Sequence, residues 1–286
     1  MKLAGSWTAV VTPFTKGGML DEEALRRLVQ RQLRGGTAGL VPCGSTGEAA
    51  TLSHEEYRRV IELTLAESRG EVPVFPGIST NSTRTALELA RECESLGADG
   101  LMLTAPYYNK PTQEGLFQHY CAVAKSTRLP ILVYNIPGRT AVNILPSTLL
   151  RIVKACPNVV AVKEAAGSLD QVSEILSEAP ARFSVLSGDD SLALPMMAVG
   201  ARGVVSVLSN IAPAHVAKLC ATQSSQLHLK AFPLIKALFA ETNPIPVKAA
   251  LEMMGLCRGE PRLPLVPMTE AGRALLRKEL KAFGLI

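Results

Sequence analysis

Short β-rich runs alternate with amphipathic helical patterns eight times between positions 5 and 225, and this rhythm leaves few architectures open. The runs are Trp7–Val11, Gly39–Pro42, Val72–Pro76, Gly100–Thr104, Ile131–Tyr134, Val159–Lys163, Ser184–Leu186 and Gly203–Val207. The helical patterns between them fall near Glu22–Arg34, His54–Ser68, Arg84–Leu96, Gln113–Lys125, Pro146–Ala155, Leu169–Ser177, Leu192–Val199 and Ala214–Gln223. Parallel strands need a crossover connection, so strands alternating with helices predict a parallel sheet. Eight units exceed the six or so strands of an ordinary open doubly wound sheet and predict a closed (β/α)8 barrel, an α/β fold of the TIM type. Local signals agree with these boundaries. Ser53 with Glu56, and Ser168 with Gln171, have capping-box spacing. Asp21 stands where an N-cap belongs, and Gly35-Gly36, Gly97 and Gly200 punctuate helix ends. Beyond position 225 only helical patterns remain, over Leu227–Glu241, Pro246–Met254 and Thr269–Phe283. The expected organisation is a catalytic barrel over 1–225 and a C-terminal helical appendix over 226–286, the latter too short to bury much surface alone.

Composition excludes several classes of function. With 47% apolar and 19% charged residues, the 286-residue chain has material for a large core and no signature of disorder. The longest stretch without Asp, Glu, Lys or Arg, Gly203–Ala217, is interrupted by Asn210, Pro213 and His215, which argues against a membrane span. No apolar leader with a cleavage site follows Met1, so a cytoplasmic protein is expected. The six cysteines show no CxxC pair and read as reduced thiols. The four histidines have no metal-ligand spacing, and no metal is expected. The net charge of +5 comes with only 5% aromatics, which does not suit a nucleic-acid groove but suits small anionic substrates. Neither GxGxxG nor GxxxxGK[ST] follows the first strand, so no nucleotide cradle is predicted.

In a barrel the reacting groups stand at the C-terminal ends of the strands. Strand six ends in Ala161-Val162-Lys163-Glu164. With a period of two, Lys163 lies on the same face as Val159 and Ala161, and if Ala161 faces inward, so does Lys163. A lysine in that place is unusual, because lysine is rarely buried without a partner. Alternatively, a one-residue slip would turn it outward, or a carboxylate would pair with it as a core ion pair. Strand five ends in Tyr134, and adjacent strands lie about 4.8 Å apart, within reach of a phenol and an amine. That pairing suits imine chemistry: burial keeps the amine neutral enough to attack a carbonyl, and the phenol moves the protons. The turn Gly44-Ser45-Thr46-Gly47-Glu48 offers hydroxyls and backbone N–H groups to a carboxylate. Tyr107-Tyr108 sits between Pro106 and Pro111, a stiff aromatic tip that suggests a subunit contact. Arg139, after strand five, can fork onto a second carboxylate.

Taken in order, Gly44-Ser-Thr-Gly-Glu48, Pro106-Tyr-Tyr-Asn-Lys-Pro111, Tyr134-Asn-Ile-Pro-Gly-Arg-Thr140, Val162-Lys-Glu-Ala165, Ser187-Gly-Asp-Asp190 and Asn243-Pro-Ile-Pro-Val-Lys248 resemble the dihydrodipicolinate synthases, in the wider N-acetylneuraminate lyase family of pyruvate Schiff-base aldolases. The resemblance runs from Val11-Thr-Pro13 to the last helix. It implies condensation of pyruvate with L-aspartate 4-semialdehyde on the route to lysine. Lys163 would form the imine, with Tyr134 its proton donor and acceptor. Ser45 and Tyr108 would complete a proton relay, Tyr108 serving a neighbouring subunit. Thr46 would hold the pyruvate carboxylate, Val205 would line the same pocket, and Arg139 would receive the semialdehyde carboxylate. The covalent imine would replace any cofactor, and the assembly would be a homotetramer, a dimer of dimers. Members inhibited by lysine commonly carry His and Glu where this chain has Tyr57 and Thr85, so weak or absent inhibition is expected. Asn81, His54 and Tyr107 remain for the carboxylate end of that ligand. Ser45 departs from the usual synthase Thr and matches a lyase-like spelling. The alternatives are therefore an aldolase of the same family acting on N-acetylneuraminate or a 2-keto-3-deoxy acid, and a silent barrel that senses pyruvate or an amino acid.

Overall fold

The computed structural model describes residues 2–286. It is a (β/α)8 barrel followed by three C-terminal helices. The chain runs β1 (Gly5–Ala9), α1 (Glu22–Arg34), β2 (Gly39–Val41), α2 (His54–Ser68), β3 (Gly77–Ile78), α3 (Thr83–Ser95), β4 (Leu101–Thr104), α4 (Gln113–Ser126), β5 (Ile131–Asn135), α5 (Pro137–Thr140), α6 (Pro146–Ala155), β6 (Val159–Glu164), α7 (Leu169–Glu178), β7 (Ser184–Ser187), α8 (Ala193–Ala198), β8 (Gly203–Ser206) and α9 (Pro213–Thr222). Then follow α10 (Ser225–Leu238), α11 (Ile245–Met253) and α12 (Glu270–Phe283). All strand pairs are parallel, in the order β2-β1-β8-β7-β6-β5-β4-β3. The ring closes between β2 and the segment before β3, where Leu40 N donates to Pro73 O at 2.9 Å, Phe75 N to Leu40 O at 2.8 Å and Gly77 N to Pro42 O at 2.9 Å.

Alternation along the strands separates two cores. Trp7, Val41, Phe75, Met102, Leu132, Tyr134, Ala161, Leu186 and Val205 fill the barrel interior. Their neighbours, such as Leu40, Leu103, Val133, Val162 and Val185, pack outward under the helices. The C-terminal helices share a third cluster with α1, β8 and α9, joining Val11, Leu28 and Val204 to Leu234, Leu251 and Leu276. Close packing explains certain glycines: a Cβ on Gly39 would lie 2.4 Å from the Trp7 ring, and one on Gly100 would lie 2.2 Å from Phe75.

Several local expectations need correction. β3 is displaced from Val72–Pro76 to Gly77–Ile78, because Pro73 and Pro76 have no N–H to give to a ladder. Only an isolated bridge, Leu40 with Val74, survives in the expected stretch. Ser53 and Glu56 form a complete capping box. At Ser168 only one half forms: its hydroxyl accepts from Gln171 N, while the Gln171 amide donates to Glu164 and Asn143 instead. Val159 does not share a face with Lys163. A register irregularity sets Ile131 against Val159 but Leu132 against Ala161, so the parity of the strand changes at Val160. The segment after β5 is one turn of helix, with Pro137 at its start and Ala141 as a left-handed cap at φ 59°.

Candidate active site

Lys163 faces the barrel interior at the C-terminal end of β6, 6% exposed. Register pairs it with Tyr134 on β5. Its Nζ lies over the Tyr134 ring, 3.9 Å from the centroid. The amine thus meets the face of the ring, whereas strand spacing suggested contact with the phenol oxygen. A ring face attracts an ammonium but offers it no proton acceptor. Among the described residues, no carboxylate forms an ion pair with Lys163. Burial first and the Arg139 charge second push its pKa down from 10.5 to about 7, against the opposing pull of the Asp190 carboxylate. Burial raises the Tyr134 phenol above its ordinary value, so Tyr134 stays protonated at neutral pH.

The strand that presents Lys163 is braced from behind. Asn135 pairs in register with Glu164. Its Nδ2 donates to both Glu164 oxygens, at 3.1 and 3.0 Å, and to Asn143 Oδ1 at 2.8 Å. Glu164 also accepts from Ala166 N at 2.7 Å and Gln171 Nε2 at 3.1 Å. Burial raises the Glu164 pKa against these hydrogen bonds. On the other side, Asp190 accepts from Val207 N and Leu208 N, each at 2.9 Å, and from the Ser206 hydroxyl. This fixes β8 and the position of Val205, which is 1% exposed inside the barrel. Sequence reasoning did not single out these braces, nor Gly188. A Cβ on Gly188 would come within 3.2 Å of Lys163 Cγ and 2.7 Å of Ala165 Cβ, so the lysine stem needs hydrogen there. The signal lay in the quoted motifs: Glu164 directly follows Lys163, and Gly188 and Asp190 share one turn.

The Gly44–Glu48 turn is tightly held. Cys43 at φ 55° and Glu48 at φ 53° take left-handed backbone conformations on either side of it. A Cβ on Gly47 would sit 3.0 Å from both Cys43 N and Val10 O, pressing on backbone on both sides, so glycine suits this close passage. Thr46 is buried, and its hydroxyl accepts from Asn243 Nδ2 at 2.9 Å. Glu48 forms an ion pair with the wholly buried Lys248 of α11. Ser45 and Arg139 line a cavity of about 350 Å³ at the mouth, together with Thr104, Tyr107 and Asn243. Arg139 donates to Asn243 O at 2.7 Å and also borders a second cavity of about 730 Å³ with Gly188 and Asp189.

Of the residues named from sequence, Lys163, Tyr134, Val205, Thr46, Ser45 and Arg139 converge on the mouth of one barrel. Tyr108 does not join them within this chain: it is 87% exposed, at φ 70°. Its neighbour Tyr107 is 38% exposed and does border the cavity. Among the described residues, no three of His, Cys, Asp and Glu gather closely enough to hold a metal ion.

Comparison with known proteins places this geometry. The dihydrodipicolinate synthetase family model matches residues 2–283. The 4-hydroxy-tetrahydrodipicolinate synthase of Syntrophus aciditrophicus is 50% identical over 289 residues, covering 99% of each chain. A crystal structure of dihydrodipicolinate synthase from Thermotoga maritima superposes with a TM-score of 0.98 at 46% identity, covering 100% of both chains. The synthase of Cyanidioschyzon merolae, solved with lysine bound, gives a TM-score of 0.96 at 35% identity over 99% of each chain. The chain belongs to the dihydrodipicolinate synthetase family.

Proposed function

We propose that this enzyme condenses pyruvate with L-aspartate 4-semialdehyde to 4-hydroxy-tetrahydrodipicolinate, through an imine on Lys163. The observation that carries the reading is a lysine amine buried at a strand end with no carboxylate partner among the described residues, its pKa brought to about 7. At neutral pH such an amine is nucleophilic in about half the molecules, where an ordinary lysine is almost wholly protonated.

Lys163 Nζ adds to the pyruvate ketone carbon, and the resulting carbinolamine loses its hydroxyl as water once protonated. Tyr134, kept protonated by burial, supplies that proton. The Tyr134 phenolate left by that step takes a methyl proton from the iminium and gives the enamine. The enamine carbon attacks the semialdehyde aldehyde to form the new C–C bond, while the phenol returns its proton to the aldehyde oxygen. The amino group of the second substrate then adds to the iminium carbon and expels Lys163 as the free amine, which closes the ring. The iminium is the electron sink, so the reading calls for no metal or organic cofactor. Thr46 takes the pyruvate carboxylate, Val205 walls the same pocket, and Arg139 takes the carboxylate of the second substrate.

The exposed Tyr108 supports assembly into a homotetramer built from two dimers, in which Tyr108 of one subunit completes the Ser45–Tyr134 relay of another. Among the described residues no helix is long and apolar enough to cross a membrane, and the reading is of a cytoplasmic enzyme.

The test is product formation from pyruvate with aspartate semialdehyde, run beside pyruvate with N-acetylmannosamine. Borohydride reduction in the presence of pyruvate should leave a three-carbon adduct on Lys163, seen by peptide mass. Turnover of the sugar alone, or a label on Lys110 or Lys248, would overturn the reading.

A further inference from the structure

The two side chains assigned above to the substrates' carboxylates are both held by one residue outside the barrel. Asn243, in the segment entering α11, is buried. Its Nδ2 donates to Thr46 Oγ1 at 2.9 Å, and its carbonyl accepts from Arg139 Nη2 at 2.7 Å. Among the described residues these are the only hydrogen bonds made by the Thr46 hydroxyl and the Arg139 guanidinium. Arg139 and Asn243 border both mouth cavities, so their contact is a strut between them.

The chemistry of each contact is directional. A hydroxyl has one proton and two lone pairs. With one lone pair of Thr46 engaged by an amide N–H, its proton is free for an acceptor in the pocket. Arg139 gives one N–H to a fixed carbonyl and keeps a fork of donors for a carboxylate. The segment that carries Asn243 is itself anchored. Lys248 Nζ donates to Thr12 O at 3.1 Å and pairs with Glu48, and Thr12 Oγ1 donates to Gly47 O at 2.7 Å.

We propose that the Asn243 side chain is a positioning residue for pyruvate, setting the Thr46 hydroxyl as a donor, while the backbone carbonyl of the same residue, which every side-chain variant keeps, seats the Arg139 guanidinium at the mouth. The proposal rests on the reading of Thr46 and Arg139 given above.

Two variants separate this role from a structural one. Asn243→Ala removes the amide donor and frees the Thr46 rotor. Asn243→Asp keeps the shape but replaces the donor with an acceptor, so Thr46 must turn its proton away from the pocket. The new carboxylate also competes for Arg139. Asn243→Ala should raise the pyruvate KM about tenfold with kcat changed much less. Asn243→Asp should raise both KM values beyond those of Asn243→Ala, with Tm within a few degrees of the wild type. In the Thr46→Val background, Asn243→Ala should raise the pyruvate KM no further. Wild-type KM values in Asn243→Asp, or additive losses in the double variant, would overturn the proposal. So would a fall in kcat that tracks a fall in Tm. Borohydride trapping at graded pyruvate measures the Thr46 half without the second substrate, so failure of the wild type to turn over aspartate semialdehyde would strike the functional reading alone.

Discussion

The rate at which pyruvate is captured should follow the titration of Lys163. With its pKa at about 7 instead of 10.5, about half of the amine is neutral at pH 7, against roughly one part in 3,000 for an ordinary lysine. The buried site therefore holds roughly a thousandfold more nucleophile at that pH. The second-order rate of imine formation, read by cyanoborohydride trapping and peptide mass, should climb about tenfold per pH unit between about 5 and 6.5. It should bend near 7 and level off above about 8. Burial is the larger cause of the shift and the Arg139 charge the second. Arg139→Ala should accordingly move the bend to higher pH while leaving it well below 10.5. A rate that still rises tenfold per unit at pH 9, in the wild type, would refute the argument that burial readies this amine.

The same shift has a stability counterpart. The unfolded chain keeps the lysine proton up to about 10.5 and the folded chain only to about 7, so unfolding takes up protons between these values and stability rises with pH across that window. Lys163→Met should be inactive and melt higher than the wild type at pH 7, with a gain that shrinks towards pH 10; an equal gain at both pH values would contradict this. Arg139→Ala should raise the semialdehyde KM by about ten- to a hundredfold, the loss of a charge-assisted contact worth roughly 1.5–3 kcal/mol, while pyruvate trapping persists. Equal damage to both steps would show that Arg139 only holds its turn. Gly188→Ala should depress kcat by displacing the Lys163 stem, and an unimpaired variant would mean that the 3.2 Å approach relaxes freely. Lysine should inhibit weakly or not at all. Tyr57 is turned into the core, its hydroxyl on Gly77 O at 3.2 Å, and Arg84 is drawn towards Glu88 on the helix surface. Half-inhibition near 0.1 mM, about −5.5 kcal/mol of binding, in a titration at near-KM substrates would defeat that expectation.

Much of this molecule was legible in its sequence because barrel strands and helices obey local rules. The span His54–Ser68 falls where its capping box and periodicity put it, and Pro146–Ala155 where periodicity does. Lys163 beside Tyr134 is one of the two registers that the two-residue period and strand spacing allow, and the structure selects it over the slipped one. What escaped notice depends on chain segments far apart. The parity change at Val160 is a matter of register between two strands. The clearance at Gly188 exists only once β6 and β7 lie side by side. The hold of Asn243 on Thr46 spans 197 positions, and no local pattern encodes it. β3 was misplaced for a nearer reason: its apolar run has β propensity, but its prolines cannot donate.

Trp7 is the only tryptophan in the chain. It is 1% exposed, stands edge-on to Phe75 with centroids 5.0 Å apart, and pairs in register with Gly39 and Val205. Its emission therefore arises inside the barrel, where β1, β2, β8 and the segment before β3 converge. Fluorescence reports whether that ring of strands is closed and takes little from α10–α12. Far-ultraviolet circular dichroism, by contrast, weighs all the helices, including those three. Denaturation curves from the two signals coincide if barrel and C-terminal layer melt as one cooperative unit, and separate if the layer detaches first. The natural fluorophore thus lets an unlabelled sample show whether Asn243 and Lys248 leave the active-site turn before the barrel opens.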